Sequence, residues 1–430
     1  MGRSLSDVSK PKLSIKQKRI MLAINIYMTT FLMYYITTSV TAYIQMYYPE
    51  VSPTTVTSLI SLPTLTGLIA AVLIGPISMR VSKLNLMVVA MSTMGFYGIV
   101  MFLAGINHWS FTWLYVATAV AGVGQGTFAP LANTIISENF QEDLRASRIA
   151  QYNVVENLGA FIILAVSGRI AAGNGGANWP YAYLLSIACF VTTLSFFIIM
   201  KMSGYKEKEV SPEVLAHQSA EKVRLKDVPT KVIVYIFLIA LIHMFYYVGI
   251  NSYYLNVSDY IITQYNLGTS AQAGDASSIV RGVLVVSTFI FPIWEKILKK
   301  WMIPFGYCIP LIGLLLMYFF TDSLFGIYAC AACVAIGTSI VHSTFYSKAC
   351  NNVPLRVVPL ATSIMWGIAN CGAYVSVSVQ DWCASFFGGG IKGEIITGVA
   401  VLALVIIASI YAFVIKRPKS QAELEASMNK

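Results

Sequence analysis

Apolar runs of about 20 to 25 residues recur along the chain between short polar connectors, and each is long enough to cross a bilayer as a helix. They fall near residues 20–44, 56–78, 84–105, 110–133, 147–168 and 180–200, then near 231–252, 273–295, 301–320, 324–346, 357–380 and 394–415. The pattern predicts an all-α polytopic membrane protein with twelve transmembrane helices. A polar stretch, Ser203–Thr230, separates two groups of six; its lysines, glutamates and isolated prolines describe a cytoplasmic linker. The expected organisation is an amino-terminal segment (1–19), a six-helix bundle (20–200), a linker (201–230), a second six-helix bundle (231–415) and a tail (416–430). The first run is too long for a signal-peptide core and lacks a cleavage pattern, so it stays as a span.

Composition agrees with this pattern. Of 430 residues 57% are hydrophobic and only 11% charged, with mean hydropathy +0.69, which excludes the ordinary soluble classes. A net charge of +10 would suggest nucleic acid if the basic residues were spread evenly. They are not: 26 of the 29 lie at the termini, in the linker and in the connectors on one side, including Arg80, Lys83, Arg145, Arg148, Lys348 and Arg356. The opposite connectors hold Arg169 and Lys392, and Arg281 falls inside a span. By the positive-inside rule the amino and carboxy termini are both cytoplasmic, in a multi-pass protein of the cytoplasmic (inner) cell membrane. The basic surface faces anionic membrane lipid, so no nucleic-acid partner is implied.

Seven cysteines are mostly within spans, and Cys330 and Cys333 sit in an alanine-rich run without histidine or carboxylate beside them, which reads as packing. There is no Walker loop and no catalytic metal motif, hence no cofactor and no sign of an enzyme. Internal repetition supports two related halves. Met33-Tyr34-Tyr35-Ile36 matches Phe245-Tyr246-Tyr247-Val248 at an offset of 212, and Pro76, Arg80 and Lys83 match Pro292, Lys296 and Lys299 at 216. Related halves about a central site are one way to build alternating access.

Two groups of six spans divided by a basic loop resemble the major facilitator superfamily over essentially the whole chain. Gly75-Pro76-Ile77-Ser78-Met79-Arg80-Val81-Ser82-Lys83 is similar to its signature between spans 2 and 3, with Met79 in place of the family's aspartate and Ser82 in place of a second glycine. The resemblance implies a cytoplasmic gate at Gly75, Arg80 and Lys83. Gly122-Val123-Gly124-Gln125-Gly126 resembles the glycine-rich fourth helix, with Thr118 where many proton-driven members carry arginine. Independently of the family, Gly122 and Gly126 share one helix face, which admits either a close helix neighbour or backbone contact with substrate. The eighth span also resembles the oxalate–formate and monocarboxylate branches, where a substrate-binding arginine matches Arg281. Asp275 and Arg281 are six apart rather than the four of the monocarboxylate branch, and Leu360–Val379 lacks the second cation of the oxalate branch. Lys348, nearest in sequence, reads as an anchor at the membrane edge.

Ionisable groups in spans are costly and normally face the bundle interior. Glu156 and His243 fall roughly 14 and 18 Å from the cytoplasmic ends of their helices, and Arg281 about 12 Å from the outside. A guanidinium there needs an anion. It takes either a substrate or an internal pair with Glu156 or Asp275. Glu156 is a candidate proton carrier, released from Arg281 by substrate, or a packing hydrogen-bond partner alongside Asn153 and Asn157. Asp275 is a further proton-coupling candidate. His243 is a relay, a substrate donor or a core polar group. Tyr34, Tyr35, Tyr246 and Tyr247 lie at mid-depth and, with Gln125, Trp366 and Asn370, either line a planar cavity or pack the halves together. Tyr253 and Tyr254 read as outer-belt residues.

The leading expectation is a secondary active transporter, a monomer that moves a small or mid-sized organic anion, a monocarboxylate or aromatic acid, by proton-coupled symport. The alternatives are a carrier of neutral or cationic small molecules with Arg281 in a structural pair, and a receptor without net flux.

Overall fold

The computed structural model describes residues 13–78, 80–207, 228–350, 353–354 and 357–415. Met79, Arg356, the side chain of Lys348, and most of the linker and tail lie outside the described residues. The helices follow the apolar runs. They are α1 (Ile15–Met28), α2 (Thr37–Tyr47), α3 (Pro53–Ser78), α4 (Lys83–Ile106), α5 (Phe111–Asn139), α6 (Glu142–Ala171), α7 (Trp179–Ala182) and α8 (Ala188–Met202). Then come α9 (Thr230–Tyr254), α10 (Val257–Asp259), α11 (Ser270–Leu298), α12 (Met302–Phe319), α13 (Leu324–Cys350), α14 (Val358–Ala384) and α15 (Gly390–Ile410). Among the described residues ten segments are long and apolar enough to cross a membrane. One of them, Ser270–Phe319, contains both α11 and α12, joined by a 3-10 turn at Lys299–Trp301.

Local chemistry sets the helix ends. Ser14 with Gln17 and Thr269 with Gln272 form reciprocal capping boxes that satisfy the first amide groups of α1 and α11. Several basic residues of the charge-biased end also bond helix C-terminal carbonyls: Arg145 donates to Ser137 and Phe140, and Arg19 donates to Met202. The residues that give this end its charge therefore also close its helices.

Apolar burial gathers into two clusters. One is built from Ile20 to Met200 around Tyr27, Phe128, Tyr97 and Trp179. The other runs from Val228 to Ala412 around Tyr246, Tyr260, Tyr307 and Phe345. They meet chiefly where α6 packs on α11 and α3 packs on α14.

The first contact is close because Gly168 and Gly274 face each other: a Cβ on Gly274 would lie 2.5 Å from the Leu164 carbonyl oxygen and 3.1 Å from the Gly168 Cα. Around it, Ser270 donates to the Gly168 carbonyl (2.7 Å) and Ser278 to that of Phe161 (3.0 Å). Arg169 pairs with Asp275, and Thr54 donates to Asp381 (3.0 Å). Each of these bridges lies in the half of the molecule away from the basic end. Towards the basic end, Val286, Phe289, Ile293 and Ile297 of α11 are exposed.

Candidate functional site

The rod that begins the chain is broken at mid-length. After α1 the helix ladder gives way to turns and a 3-10 segment, Met33–Ile36, before α2 resumes. The repeat-related Tyr246 and Tyr247 lie instead within the uninterrupted α9. The break carries Tyr34 and Tyr35, whose rings lie 4.5 Å apart. Tyr34 is buried and accepts a hydrogen bond from Gln125 Nε2 at 2.8 Å. Tyr35 is partly exposed, and the Arg281 guanidinium of α11 lies over its ring at 4.1 Å. A cation on the face of a phenol is attracted by the ring quadrupole, by about 0.5–2 kcal/mol depending on solvation.

Among the described residues the ion pairs are Lys83–Glu138 and Arg169–Asp275, so no carboxylate holds Arg281 within 4.0 Å. Glu156 on α6 is partly exposed and within electrostatic reach of Arg281 without forming a bridge to it. One helical turn from Arg281 and from Tyr35, Thr38 donates to Ser277 at 3.4 Å, both side chains buried. This contact seals the halves immediately beside the guanidinium on the side away from the basic end. Arg281 thus sits between the halves, partly exposed, on the basic-end side of this contact.

Of the other residues expected here, several lie elsewhere. Asp275 is drawn away from Arg281 by Arg169, whose guanidinium it accepts through both oxygens at 2.6 and 3.2 Å. The sequence offered Asp275 as a partner for Arg281; across the interface Arg169 is the cation it meets. Tyr246 is fully buried, bonded to Thr338 (3.1 Å) and stacked near His243 and Tyr307. His243 is fully buried too, with its ring 3.9 Å from that of Phe345. Trp366 is exposed on α14, and Asn370 donates to the Trp366 carbonyl one turn back. Tyr253 and Tyr254 are not belt residues. Tyr253 is fully buried in the second cluster, and Tyr254 contributes to the electrostatic surroundings of Arg281.

Gly122 and Gly126 face α3: a Cβ on Gly126 would strike the Gly67 backbone, and one on Gly122 the Pro63 carbonyl. At the basic end Gly75 has nothing nearby and Arg80 is exposed, whereas Lys83 is buried in its pair with Glu138 at 2.9 Å. Tyr205 donates to the other Glu138 oxygen at 3.1 Å. Glu207 caps α4: it accepts from Ser82 Oγ (2.6 Å) and from the Lys83 and Leu84 amides (3.1 and 3.2 Å). Burial pushes the Glu207 carboxyl up, but these three bonds and the Lys83 charge outweigh it and hold the group below its ordinary value.

The structure adds His342 of α13, which the sequence places near the cytoplasmic third of its span but to which it assigns no role. It is exposed, bonds the Tyr247 hydroxyl through Nε2 at 2.7 Å, and faces the buried His243 ring. A histidine is a visible signal, but only the packing of α9 on α13 turns it towards Tyr247.

The Major Facilitator Superfamily profile matches residues 20–375, most of the chain. The protein belongs to that superfamily. It is therefore a multi-pass membrane transporter and not an enzyme. No curated protein matches it in sequence. Solved structures share the fold, among them the three that follow. A D-xylose–proton symporter aligns over 93% of this chain and 98% of its own at TM-score 0.72 and 16% identity. The inward-open xylose transporter XylE from E. coli aligns over 94% and 98%, at 0.67 and 16%. A POT peptide transporter in complex with alafosfalin aligns over 96% of each chain, at 0.73 and 10%.

Proposed function

We propose that this transporter moves a small or mid-sized organic anion, a monocarboxylate or aromatic acid, across the cytoplasmic membrane by proton-coupled symport. The observation that carries the reading is Arg281, partly exposed between the halves, seated on Tyr35 and bridged to no carboxylate among the described residues. A forked cation so placed is poised for a carboxylate, and the tyrosine faces beside it favour a flat apolar body. Glu156 lies close enough to feel the guanidinium, which suits a group whose proton leaves or arrives with the substrate anion. Relatives of the fold include a D-xylose–proton symporter, in keeping with proton coupling as the driving force.

The basic end is taken as cytoplasmic with both termini there, so the conformation described is open inward. Twelve crossings are taken as well. The 50-residue segment Ser270–Phe319 holds two helices, and the 29-residue α5 is about 43 Å long. The division into segments 1–19, 20–200, 201–230, 231–415 and 416–430 belongs to the same reading, as does a single chain as the working unit.

The test is uptake of radiolabelled benzoate and lactate into proteoliposomes, corrected for protein-free vesicles, with and without an acid-outside gradient. Gradient-stimulated uptake that Arg281→Lys lowers by about tenfold or more is expected. Uptake of xylose or a dipeptide with none of either acid would overturn the anion assignment.

A further inference from the structure

The two copies of the repeated tyrosine pair do matching work in different hands. Tyr35, in the first half, lies under Arg281 of the second half. Its counterpart Tyr247, 212 positions later, holds His342 through a 2.7 Å hydrogen bond to Nε2. Each of these repeat-related phenols thus carries a nitrogenous head group from another helix. His342 lies eight residues before the end of α13, yet its side chain is exposed. It packs at ring distance from Tyr247 and from the fully buried His243, and the charge of Arg281 reaches it. Exposure among such neighbours is that of a cleft wall. With Nε2 engaged by Tyr247 on an exposed side chain, Nδ1 has no hydrogen-bond partner among the described residues.

We infer that His342 is a specificity-determining contact: while Arg281 on Tyr35 holds the substrate carboxylate, His342 on Tyr247 bonds a second polar group of the same molecule, a hydroxyl or carbonyl. The substrate class narrows accordingly to hydroxy or oxo monocarboxylic acids. Imidazole suits this role because Nδ1 either donates or accepts, as the tautomer dictates. A site that bonds a substrate hydroxyl discriminates against the analogue lacking it, because its own polar group is then left unpaired. This inference rests on the anion reading and extends it.

Calorimetric titration of the purified full-length chain in detergent compares lactate with propionate, and the three hydroxybenzoates with benzoate. The expected result is that the best hydroxylated acid binds about tenfold tighter than its parent, the order of one well-made hydrogen bond. His342→Phe should bring that ratio within about twofold by weakening the hydroxylated acid far more than its parent; His342→Ala, which shortens an exposed side chain, serves if the first variant does not fold. Arg281→Lys should weaken every acid alike. A wild-type ratio near one in both series, or an equal loss for parent and hydroxylated acids on changing His342, overturns the inference while leaving the anion reading intact. Binding of xylose or a dipeptide with no binding of any acid overturns the anion reading, and this inference falls with it.

Discussion

Arg169 and Asp275 face each other across the two halves, the guanidinium meeting both carboxylate oxygens, at 2.6 and 3.2 Å. The pair joins α6 to α11 at the end where the cleft is shut. Its side chains are 58% and 33% exposed, so its strength is that of a surface bridge, about 0.2–1 kcal/mol. Asp275→Asn should therefore shift the balance towards the outward-open state by no more than about fivefold. Spin labels at Ala177 and Thr263 would report the change as a longer-distance population, and exchanging the two charges should restore the original distribution.

Gly168 and Gly274 contribute to the same closure sterically, and more strongly. A side chain at either position has to displace the opposite backbone, and overpacking of this kind costs about 1–3 kcal/mol. Gly274→Val should hold the far side ajar. Labelling of a Thr38→Cys variant by an impermeant maleimide from outside should rise at least fivefold, on the scale of about 1 kcal/mol. Unchanged labelling would mean that this crossing is not part of the gate.

The stacked arginine separates charge from shape. Tyr35→Leu removes the ring beneath Arg281, worth about 1 kcal/mol, and should lower kcat/KM for carboxylate uptake about fivefold. Arg281→Lys keeps the charge and loses the fork, so its deficit should be larger, about ten- to a hundredfold. Steady-state uptake of benzoate by the variants decides the order; the reverse order would place binding on the ring.

Glu207 gives the basic end a pH dependence of known sign. Its folded-state value is lowered, so the stability it contributes is present above the ordinary glutamate value of 4.5 and is lost as pH falls through the lower folded value. The group is substantially solvated, so screening limits the effect to about 1 kcal/mol or less. Glu207→Gln should lower the unfolding temperature slightly at pH 7, and the gap from wild type should close as pH falls below the ordinary glutamate value and through the lower folded one. A gap that persists in acid would assign the effect to shape rather than charge.

Gly75 and Gly126 should respond oppositely to substitution. Gly75 has no neighbour within 4 Å and helical backbone angles, so Gly75→Ala should raise thermal stability by about 0.5–1 kcal/mol. Gly126→Val drives a side chain into the Gly67 backbone and should abolish folded material in size-exclusion chromatography.

The helices were legible because an apolar run must bury its backbone polar groups as a helix in a bilayer. The run near 56–78 became Pro53–Ser78, and that near 324–346 became Leu324–Cys350. Arg281 was legible for the same energetic reason, since a charge in a span is conspicuous. The pairing of Asp275 with Arg169 was not, because the two lie 106 positions apart on helices whose close approach depends on Gly168 and Gly274. The paired tyrosines keep their burial across the repeat, Tyr34 and Tyr246 buried and Tyr35 and Tyr247 partly exposed, but the partner each ring meets was not legible. Which way a ring turns depends on the neighbouring helix, and periodicity within one helix does not reveal its neighbour.

A final consequence follows from the interruption between α1 and α2. A continuous rod tilts as one lever, so any swing at its tip is repeated at its base. A rod parted at Met33–Ile36 decouples the two. Its upper piece, tied to Ser258 and Ser270, can travel with the opposing half while its lower piece keeps station on the first bundle. Tyr35 stands at that knuckle, where a small bend would carry its ring away from the guanidinium it now supports.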